Sequence, residues 1–565
     1  MRRSLTAVVL LLSLVRQFTA QPVSAYGREF YTAFGPNQGA SESETTMSVF
    51  CFSKYAAHIT VEVPALSFSK TLIIVPNMRA EITLPSDITK PKHTIECTTP
   101  FKVLPGMAVH ITSDSDIQIV ALNSKQYSED NWSIYPTSSL GKEYYSLNYG
   151  SIPAESALAH STAGTIVIVG TEDNTSVRIE PTDHTEDSTA ITTTDIILSK
   201  GEVYLLRGDT TIGTNDITGT HILADKPIAV LSGHKRTEVP TAFKNINSQS
   251  SSRDCLYEQL PSVDTWDSSI YVVPFKSASL PEVVRVLSAS NNNIIAINGT
   301  VVDTIQRGKF YEINKLTNAL NITGSEPILV GQYMHSSVYG TSGGSGQPYG
   351  DPSLLIAQPL TASADPIIIM DGASIANIVA ENQYITIIST TAGIETATLD
   401  SEPVVSKQIG VIDADHAYYT FKVGPGAHVL HCVEPVSVSS YGFSPVSSYA
   451  YSLPLGAPAV INTVTPKPVS SYLEEAIGQI VPNPVLTAAH IEIPVRAHSD
   501  VSISWSLVSI DGKAISCGVQ NNVSGSQTNL RVPAPVSAGT YTILLEIEDQ
   551  HTHAHASVIR SVVIQ

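Results

Sequence analysis

Positive charge is scarce in this chain of 565 residues. Lys and Arg total 32 against 51 Asp and Glu, and only 15 % of residues are charged at all, for a formal charge of −19. A basic stripe able to release counterions from a phosphate backbone is therefore missing, which excludes a nucleic-acid binder. Cysteine is also scarce: five residues, an odd number, so the fold is no disulfide scaffold and at least one thiol lacks an intrachain partner. No P-loop, zinc-finger or heptad signature occurs, and no cofactor is implied. The one sustained apolar run, Leu5 to Val15, is shorter than the roughly 20 residues that span a bilayer. What the chain has instead is 42 % hydrophobic residues in short runs, punctuated by 34 Gly and 34 Pro. That is enough apolar content to exclude disorder over most of the length, and it is the pattern of an all-β protein of several domains.

The N-terminus sets the compartment. Arg2 and Arg3 precede the apolar run, and Val23-Ser24-Ala25 offers small residues at a cleavage position, so residues 1–25 read as a secretory leader cut after Ala25. Cutting after Ala20 would instead place Phe18 at the third position back. The chain ends on a strand-like Ser561-Val562-Val563-Ile564-Gln565 with no lipid-anchor signal, which predicts a secreted, extracellular product. An ectodomain of a longer cell-surface protein is the alternative. Five sequons suit an exported chain: Asn131, Asn174, Asn298, Asn321 and Asn522. Cys51 and Cys97 lie in one stretch and form the candidate disulfide. Cys517, the one cysteine beyond Cys432, is either a buried hydrophobe or a link to another chain.

A repeat runs through the middle. Asp114-Ser-Asp-Ile117, Asp225-Lys-Pro-Ile228, Ser325-Glu-Pro-Ile328 and Val433-Glu-Pro-Val436 each precede an apolar run, and they recur roughly every 100 residues. A Gly turn before a strand recurs at Gly106, Gly201 and Gly308, while the fourth copy, around Ala417 to Phe421, lacks the Gly. A Pro-led turn into an aromatic or aliphatic strand recurs at Pro136, Pro261 and Pro359. Four tandem β-rich units of about 100 residues follow, sandwich-like, with a propeller-like ring as the competing arrangement. Pro466, Pro468, Pro482 and Pro484 then flank a linker at 457–488, in which Ser471 and Glu474 could cap a short helix. Beyond it, 489–565 reads as an immunoglobulin-like or fibronectin-like β-sandwich without its disulfide, with strands His490 to Ala497, Val501 to Ile510, Asn529 to Val532, Thr540 to Glu548 and Ser557 to Ile564.

The region 26–456 carries Gly27-Arg-Glu-Phe-Tyr-Thr-Ala-Phe34, then Asn37, Leu122-Asn123, Tyr135-Pro136 and Leu140-Gly141. It continues with Ala229-Val-Leu-Ser-Gly-His234, Cys255-Leu-Tyr-Glu-Gln-Leu-Pro-Ser-Val-Asp-Thr-Trp266 and Gly350-Asp-Pro-Ser353. On these stretches it resembles the N-terminal domain of the IgGFc-binding protein family. The resemblance implies a secreted, mucus-associated glycoprotein with mucin-like or immunoglobulin-like partners. Similar sequences carry a cysteine after the Ser-Gly-His step that would pair with Cys255; this chain has Lys235-Arg236-Thr237 there, so the resemblance implies that bridge is absent. The family's cysteine-rich von Willebrand D modules are also missing, and the C-terminal sandwich stands in their place.

Four stretches carry residue patterns that could support chemistry. Gly340-Thr-Ser-Gly-Gly344 fits a nucleophile-elbow pattern, but the Gly and Ser that follow make a surface loop rather than a strand-to-helix turn. Gly350-Asp351-Pro352 followed by Ser353 reads as a turn. His551, His553 and His555 would share one face of a strand and could hold a divalent metal, yet no fourth ligand is evident and a solvated hairpin is the simpler reading. Glu258, Asp264 and Asp267 around Trp266 could serve glycosidic chemistry, with Glu258 as acid and Asp264 as nucleophile on a ring, against a reading in which Trp266 and Tyr271 are core. The function expected is recognition or adhesion without catalysis, binding extracellular glycoproteins or glycans. It would be carried by the polar stretches Thr237 to Asp254 and Ser336 to Gly350 at the sheet ends. A glycan-processing enzyme is the alternative.

Overall fold

The computed structural model describes residues 24–38, 45–76, 79–86, 94–152, 162–188, 190–211, 215–240, 252–276, 281–336, 351–362, 366–370, 382–424, 426–444, 447–455, 490–509, 514–535, 537–549 and 555–564. The leader up to residue 23 and the linker at 457–488 thus lie outside the described residues. No described helix is long and apolar enough to cross a membrane.

Strands dominate. The first unit holds β1 (Gly27–Thr32), β2 (Thr46–Phe52), β3 (Ala57–Val63), β4 (Phe68–Ile74), β5 (Ala80–Thr83), β6 (Val103–Leu104), β7 (Val109–Lys125) and β8 (Ser128–Ile134). The second holds β9 (Glu143–Tyr145), β10 (Gly164–Gly170), β11 (Thr175–Glu180), β12 (Thr194–Leu198), β13 (Val203–Arg207), β14 (His221–Ala224), β15 (Ile228–Thr237) and β16 (Asp254–Gln259). The third holds β17 (Asp267–Val272), β18 (Glu282–Ser288), β19 (Asn293–Ile297), β20 (Thr300–Ile305), β21 (Phe310–Leu316), β22 (Leu320–Tyr333) and β23 (Leu354–Ile356). The fourth holds β24 (Ile367–Met370), β25 (Gln383–Thr390), the short α1 (Thr391–Thr396), β26 (Thr398–Leu399), β27 (Glu402–Pro403), β28 (Gly410–Val411), β29 (His416–Val423), β30 (Ala427–His431), β31 (Val436–Ser444) and β32 (Ser447–Leu453).

All four units share one strand order. In the first, β4-β3-β7-β2-β5 run side by side, with β1 and β8 also on β7; the third repeats this as β20-β19-β22-β18-β21, with β17 and β23 on β22. In the second and fourth units the long central strand is broken in two, and two sheets result: β12-β11-β14-β9 with β16-β15-β10-β13, and β27-β26-β30-β24 with β32-β31-β25-β29. The repeated anchors Ile117, Ile228, Ile328 and Val436 mark the switch. Before Ile117, β7 pairs with β3, and after it with β2; β22 changes from β19 to β18 at Ile328. Asp114, Asp116 and the prolines 227, 327 and 435 sit at that switch, where a residue without an N–H or with a competing side chain ends one ladder and frees the chain to enter the other sheet.

One landmark is corrected. Gly201 (φ +78°) and Gly308 (φ +70°) take the left-handed conformation in the turns before β13 and β21, the strands that occupy the place of β5. Gly106, also left-handed, precedes β7 instead, because the first unit carries the extra strand β6, which pairs with β13 of the next unit. The Pro-led turns hold as connectors between units, with 3-10 turns at Thr137–Ser139 and Val263–Thr265.

The units close into a ring. The last strand of each packs on the last strand of the next: β8 on β16, β16 on β23, β23 on β32, and β32 back on β8. The sheet that carries each last strand is buried on both faces, which is why Gly164-Thr-Ile-Val-Ile-Val-Gly170 is continuously apolar rather than alternating. Ile166 and Ile168 face the second unit's own core, whereas Val167 and Val169 join the core of the first. Val283, Leu287 and Leu329 likewise enter the second unit's core. Tyr384, Tyr441 and Phe443 pack on Phe275 and Met334 of the third unit, and Phe50, Phe52, Val120 and Leu122 of the first enter the fourth.

Polar joints repeat at the same places. The turn into the fifth strand of one unit reaches back to a tyrosine on the first strand of its predecessor: Lys200 lies 5.6 Å from the centre of the Tyr31 ring, Arg307 5.7 Å from that of Tyr145, and His416 4.6 Å from that of Tyr271. Between the second and third units, Arg285 is 5 % exposed. Its guanidinium donates to Asp216 (2.8 Å), Glu312 (2.9 Å), Thr218 (2.9 Å) and the Asn148 carbonyl (2.9 Å), and stacks over Tyr149 and Phe310.

The C-terminal unit is one antiparallel sheet of β33 (His490–Ser509), β34 (Ala514–Pro533), β35 (Gly539–Asp549) and β36 (His555–Ile564), in the order β34-β33-β35-β36. The separate strands expected over 490–497 and 501–510 are one strand, irregular between Ala497 and Val501, and both of its halves contribute to a single core. Val508 and Leu544 dock this unit on Ile73 and Val75 of the first.

Arg285→Ala is expected to destabilise the protein by about 3–5 kcal/mol, because it strands the carboxylates of Asp216 and Glu312 at a unit boundary. Denaturant titration followed by intrinsic fluorescence checks this, and a shift smaller than about 1 kcal/mol would show that the joint is not a structural hub.

Candidate functional site

The four last strands meet at the middle of the ring, and three of them, β8, β16 and β32, carry polar residues there, while β23 is the apolar Leu354-Leu-Ile356. Ser128-Glu-Asp-Asn-Trp-Ser-Ile134 and Asp254-Cys-Leu-Tyr-Glu-Gln259 are buried at every residue. Neither face of such a strand reaches solvent, so a polar side chain there has only the ring to bond to; several find partners, while the side-chain amides of Asn131 and Gln259 make no hydrogen bond. The carboxylate of Asp130 accepts from the amides of Tyr257 (2.9 Å) and Asn131 (2.9 Å) and from the Ser353 hydroxyl (2.9 Å), linking three units. Asp254 accepts from the amides of Glu129 (2.6 Å) and Cys255 (2.7 Å). Ser133 donates to the Ser452 carbonyl (2.7 Å), Ser452 to that of Ile356 (2.5 Å) and Ser448 to that of Asp351 (2.6 Å), which ties the fourth unit to the first and third.

Five carboxyls crowd this centre: Glu129, Asp130, Asp254, Glu258 and Asp351, none more than 2 % exposed. Burial pushes Asp130, Asp254 and Glu258 well above the usual carboxylate range, and it lifts Glu129 to about 8 and Asp351 to about 7. Mutual repulsion adds to the rise of Glu129, Asp254 and Glu258, while a hydrogen bond from Ser252 restrains the rise of Asp351 and one from Ser124 that of Glu129. Burial acts the other way on His234, whose ring falls to about 3 and stays neutral. Among the described residues no cluster of three or more His, Cys, Asp or Glu is disposed to hold a metal ion.

The ends of two long connections meet beside this centre. Most of both stretches proposed for binding, 241–251 and 337–350, lies outside the described residues, but their ends do not. Val239 and Ser336 exchange hydrogen bonds of 2.9 Å, Arg253 pairs with Glu238 at 3.6 Å, and Asp351 bonds to Ser252 beside Arg236. The connection between β15 and β16 and that between β22 and β23 are therefore rooted side by side, although they come from different units.

The carboxylates considered for glycosidic chemistry are not brought together. Glu258 is buried at the centre, while Asp264 is exposed on a 3-10 turn and accepts from Ser262. Trp266 is core, 4 % exposed, its indole donating to the Pro261 carbonyl at 3.1 Å; Asp267 opens β17 and bonds the Ser269 amide. The Gly340–Gly344 stretch, His551 and His553 lie outside the described residues, and His555 opens β36.

All five cysteines are free thiols; Cys51, Cys97 and Cys255 are buried in one core cluster, Cys432 is buried, and Cys517 is exposed. Of the sequons, Asn174 and Asn298 are exposed at left-handed turn positions, and Asn321 is partly buried with its side-chain amide donating to Asp413 (3.2 Å). Asn131 is a correction: it lies inside β8 with both side-chain polar atoms buried, so the folded chain has no room for a glycan there. The side chain of Asn522 lies outside the described residues. Sequence reasoning missed Glu129 and Asp130 altogether; two acidic residues opening the strand into Trp132 were the signal available.

Four like β units thus close into a ring around a buried polar centre, with the roots of the β15–β16 and β22–β23 connections side by side. The family described as IgGFc binding protein matches residues 130–442, more than half of the chain, and the chain belongs to this family. No curated protein matches it. Among solved structures, a tetra-tandem repeat in the extending region of a large adhesion protein is 9 % identical, covering 80 % of this chain and 95 % of that one at a TM-score of 0.12. The BSP domain of a biofilm associated protein is 8 % identical over 75 % and 82 % at 0.13, and the FN1-FN3 domains of chicken CNTN1 are 11 % identical over 50 % and 99 % at 0.11. Scores this low mean that the overall arrangements do not superpose.

The buried carboxyls give stability a pH dependence of definite sign. Their folded pKa values are raised, so between the unfolded value near 4 and the folded values of about 7 and 8 the folded chain holds protons that the unfolded chain has released. His234 contributes the opposite slope, but only below its unfolded value of 6.5. From about pH 6.5 to 8, stability therefore falls, by up to about 1.4 kcal/mol per pH unit for each carboxyl titrating. Thermal melts are expected to show a lower Tm at the upper end of this range, with a shallower fall in Glu129→Gln. A Tm that is flat or rising there would contradict the assignment.

Proposed function

We propose that this chain is an exported, glycosylated recognition protein of the extracellular space, binding a protein or glycan ligand without turning it over. Membership of a family described as an IgG Fc binding protein carries the reading, with Fc as the first ligand to test. The paired roots of the β15–β16 and β22–β23 connections support binding at one face, since connections on a rigid scaffold are where recognition residues collect. The separation of Glu258 from Asp264 removes the support that the glycosidic reading had. The division into a leader, a ring to residue 456, a linker at 457–488 and a C-terminal unit from 489 belongs to the same proposal, as does glycan attachment at Asn174 and Asn298.

A screen of the secreted protein against immunoglobulin Fc, mucins and a glycan array tests it, with and without enzymatic deglycosylation. A parallel variant carries Gly-Ser sequence of equal length in place of 241–251 and 337–350. Saturable binding without cleavage, lost in the variant, is expected. Cleavage of an arrayed glycan would overturn the recognition reading, and full binding by the variant would move the site elsewhere.

A further inference from the structure

The chain enters the ring at its first unit and leaves at its fourth, so the boundary between those two units has no covalent connection across it. Burial of Phe50, Phe52, Val120 and Leu122 in the fourth unit's core supplies the apolar part of the closure. A second part is contributed by residues that the sequence had assigned to the discarded leader. Ser24 is 1 % exposed and Ala25 0 %. Ser24 pairs antiparallel with Leu455, just beyond β32, and the Ala25 amide donates to the Pro454 carbonyl at 2.8 Å. On the other side, the Ser24 amide donates to the Ser139 hydroxyl (3.2 Å), which returns a bond to the Ser24 carbonyl (3.1 Å). Ser139 lies in the turn between the first and second units, so these two residues stitch the end of the fourth unit to the exit of the first.

The next residue depends on them. The Tyr26 amide donates to the Ser24 hydroxyl at 3.0 Å, and the Tyr26 hydroxyl donates to the Ile368 carbonyl of the fourth unit at 3.4 Å. A cut after Ala25 would remove the pairing with Leu455, orphan the Pro454 carbonyl, empty the space filled by Ala25, and put a charged ammonium at Tyr26 where a hydrogen-bonded amide now sits. Each change is unfavourable in a water-excluded boundary.

We propose that the leader is removed upstream of Ser24, at the Ala20–Gln21 bond, and that the mature chain keeps Ser24-Ala25 as the latch that closes the ring. Signal peptidase works on the unfolded chain, so packing does not steer the cut; it determines which product can form a complete ring. Ala20 supplies the small residue that the peptidase needs immediately before the cut, although this cut places Phe18 at the third position back, where a small residue is usual. The new N-terminal Gln21 can then cyclise, its α-amine attacking the side-chain amide carbonyl with loss of ammonia.

The inference rests on the export reading, and the experiment separates the two. The chain is expressed with its native N-terminus in secreting animal cells, and the product in the medium is identified by intact mass and N-terminal peptide mapping. A start at Gln21, free or lighter by one ammonia, is the expected result, and a start at Tyr26 overturns the latch. Chains made directly to begin at Gln21 or at Tyr26 are melted in parallel. The Tyr26 chain is expected to melt lower and to be cut sooner by protease, and equal melting would overturn the latch by itself. Absence of protein from the medium would sink the export reading, leaving the latch to be decided by the melting comparison.

Discussion

The sheet formed by the second, fifth and last strands of each unit, together with the latter half of its long central strand, has two apolar faces and can bury just one against its own partner sheet. The other face needs a neighbour. Val167 and Val169 need the first unit, Val283 and Leu287 need the second, Tyr441 and Phe443 need the third, and Phe50 and Phe52 need the fourth. A row of such units would leave one double-faced sheet exposed at its end, at a cost of about 25 cal/mol for each Å² of apolar surface left in water. Closure into a ring removes that end. Lys200, Arg307 and His416, each set against a tyrosine of the preceding unit, fix the angle at which one unit meets the next.

Closure has a polar consequence. Bringing four last strands together at the centre buries their side chains, and the residues there are Glu129, Asp130, Asp254, Ser353 and Ser452 rather than valines. A centre of apolar side chains would hold as well energetically, but it would not discriminate between registers, whereas Asp130 is satisfied at one relative placement of β8, β16 and β23.

Much of this was legible in the sequence. The anchors at Ile117, Ile228, Ile328 and Val436 were visible because acidic residues and prolines interrupt a ladder wherever the chain changes sheets, and that interruption leaves a compositional mark. The Pro-led connectors were visible for the same reason. Gly106 misled because a left-handed glycine marks a turn without saying which strand follows it. The polar centre was not legible: Glu129-Asp130 reads as a solvated pair unless the three neighbouring strands are known, and those come from residues more than 100 positions away. The buried place of Ser24 and Ala25 was not legible for a similar reason, since small residues before a cut and small residues filling a tight boundary look the same in a linear chain.

Peptide-resolved hydrogen exchange on the intact protein tests the closed ring most directly. The account predicts that peptides covering Ser128–Ile134, Asp254–Gln259, Leu354–Ile356 and Ser447–Leu453 are the slowest to exchange and lose protection together as denaturant is raised. Loss of protection in Ser447–Leu453 while the other three remain protected would show that the fourth unit does not close on the first, and would contradict the ring.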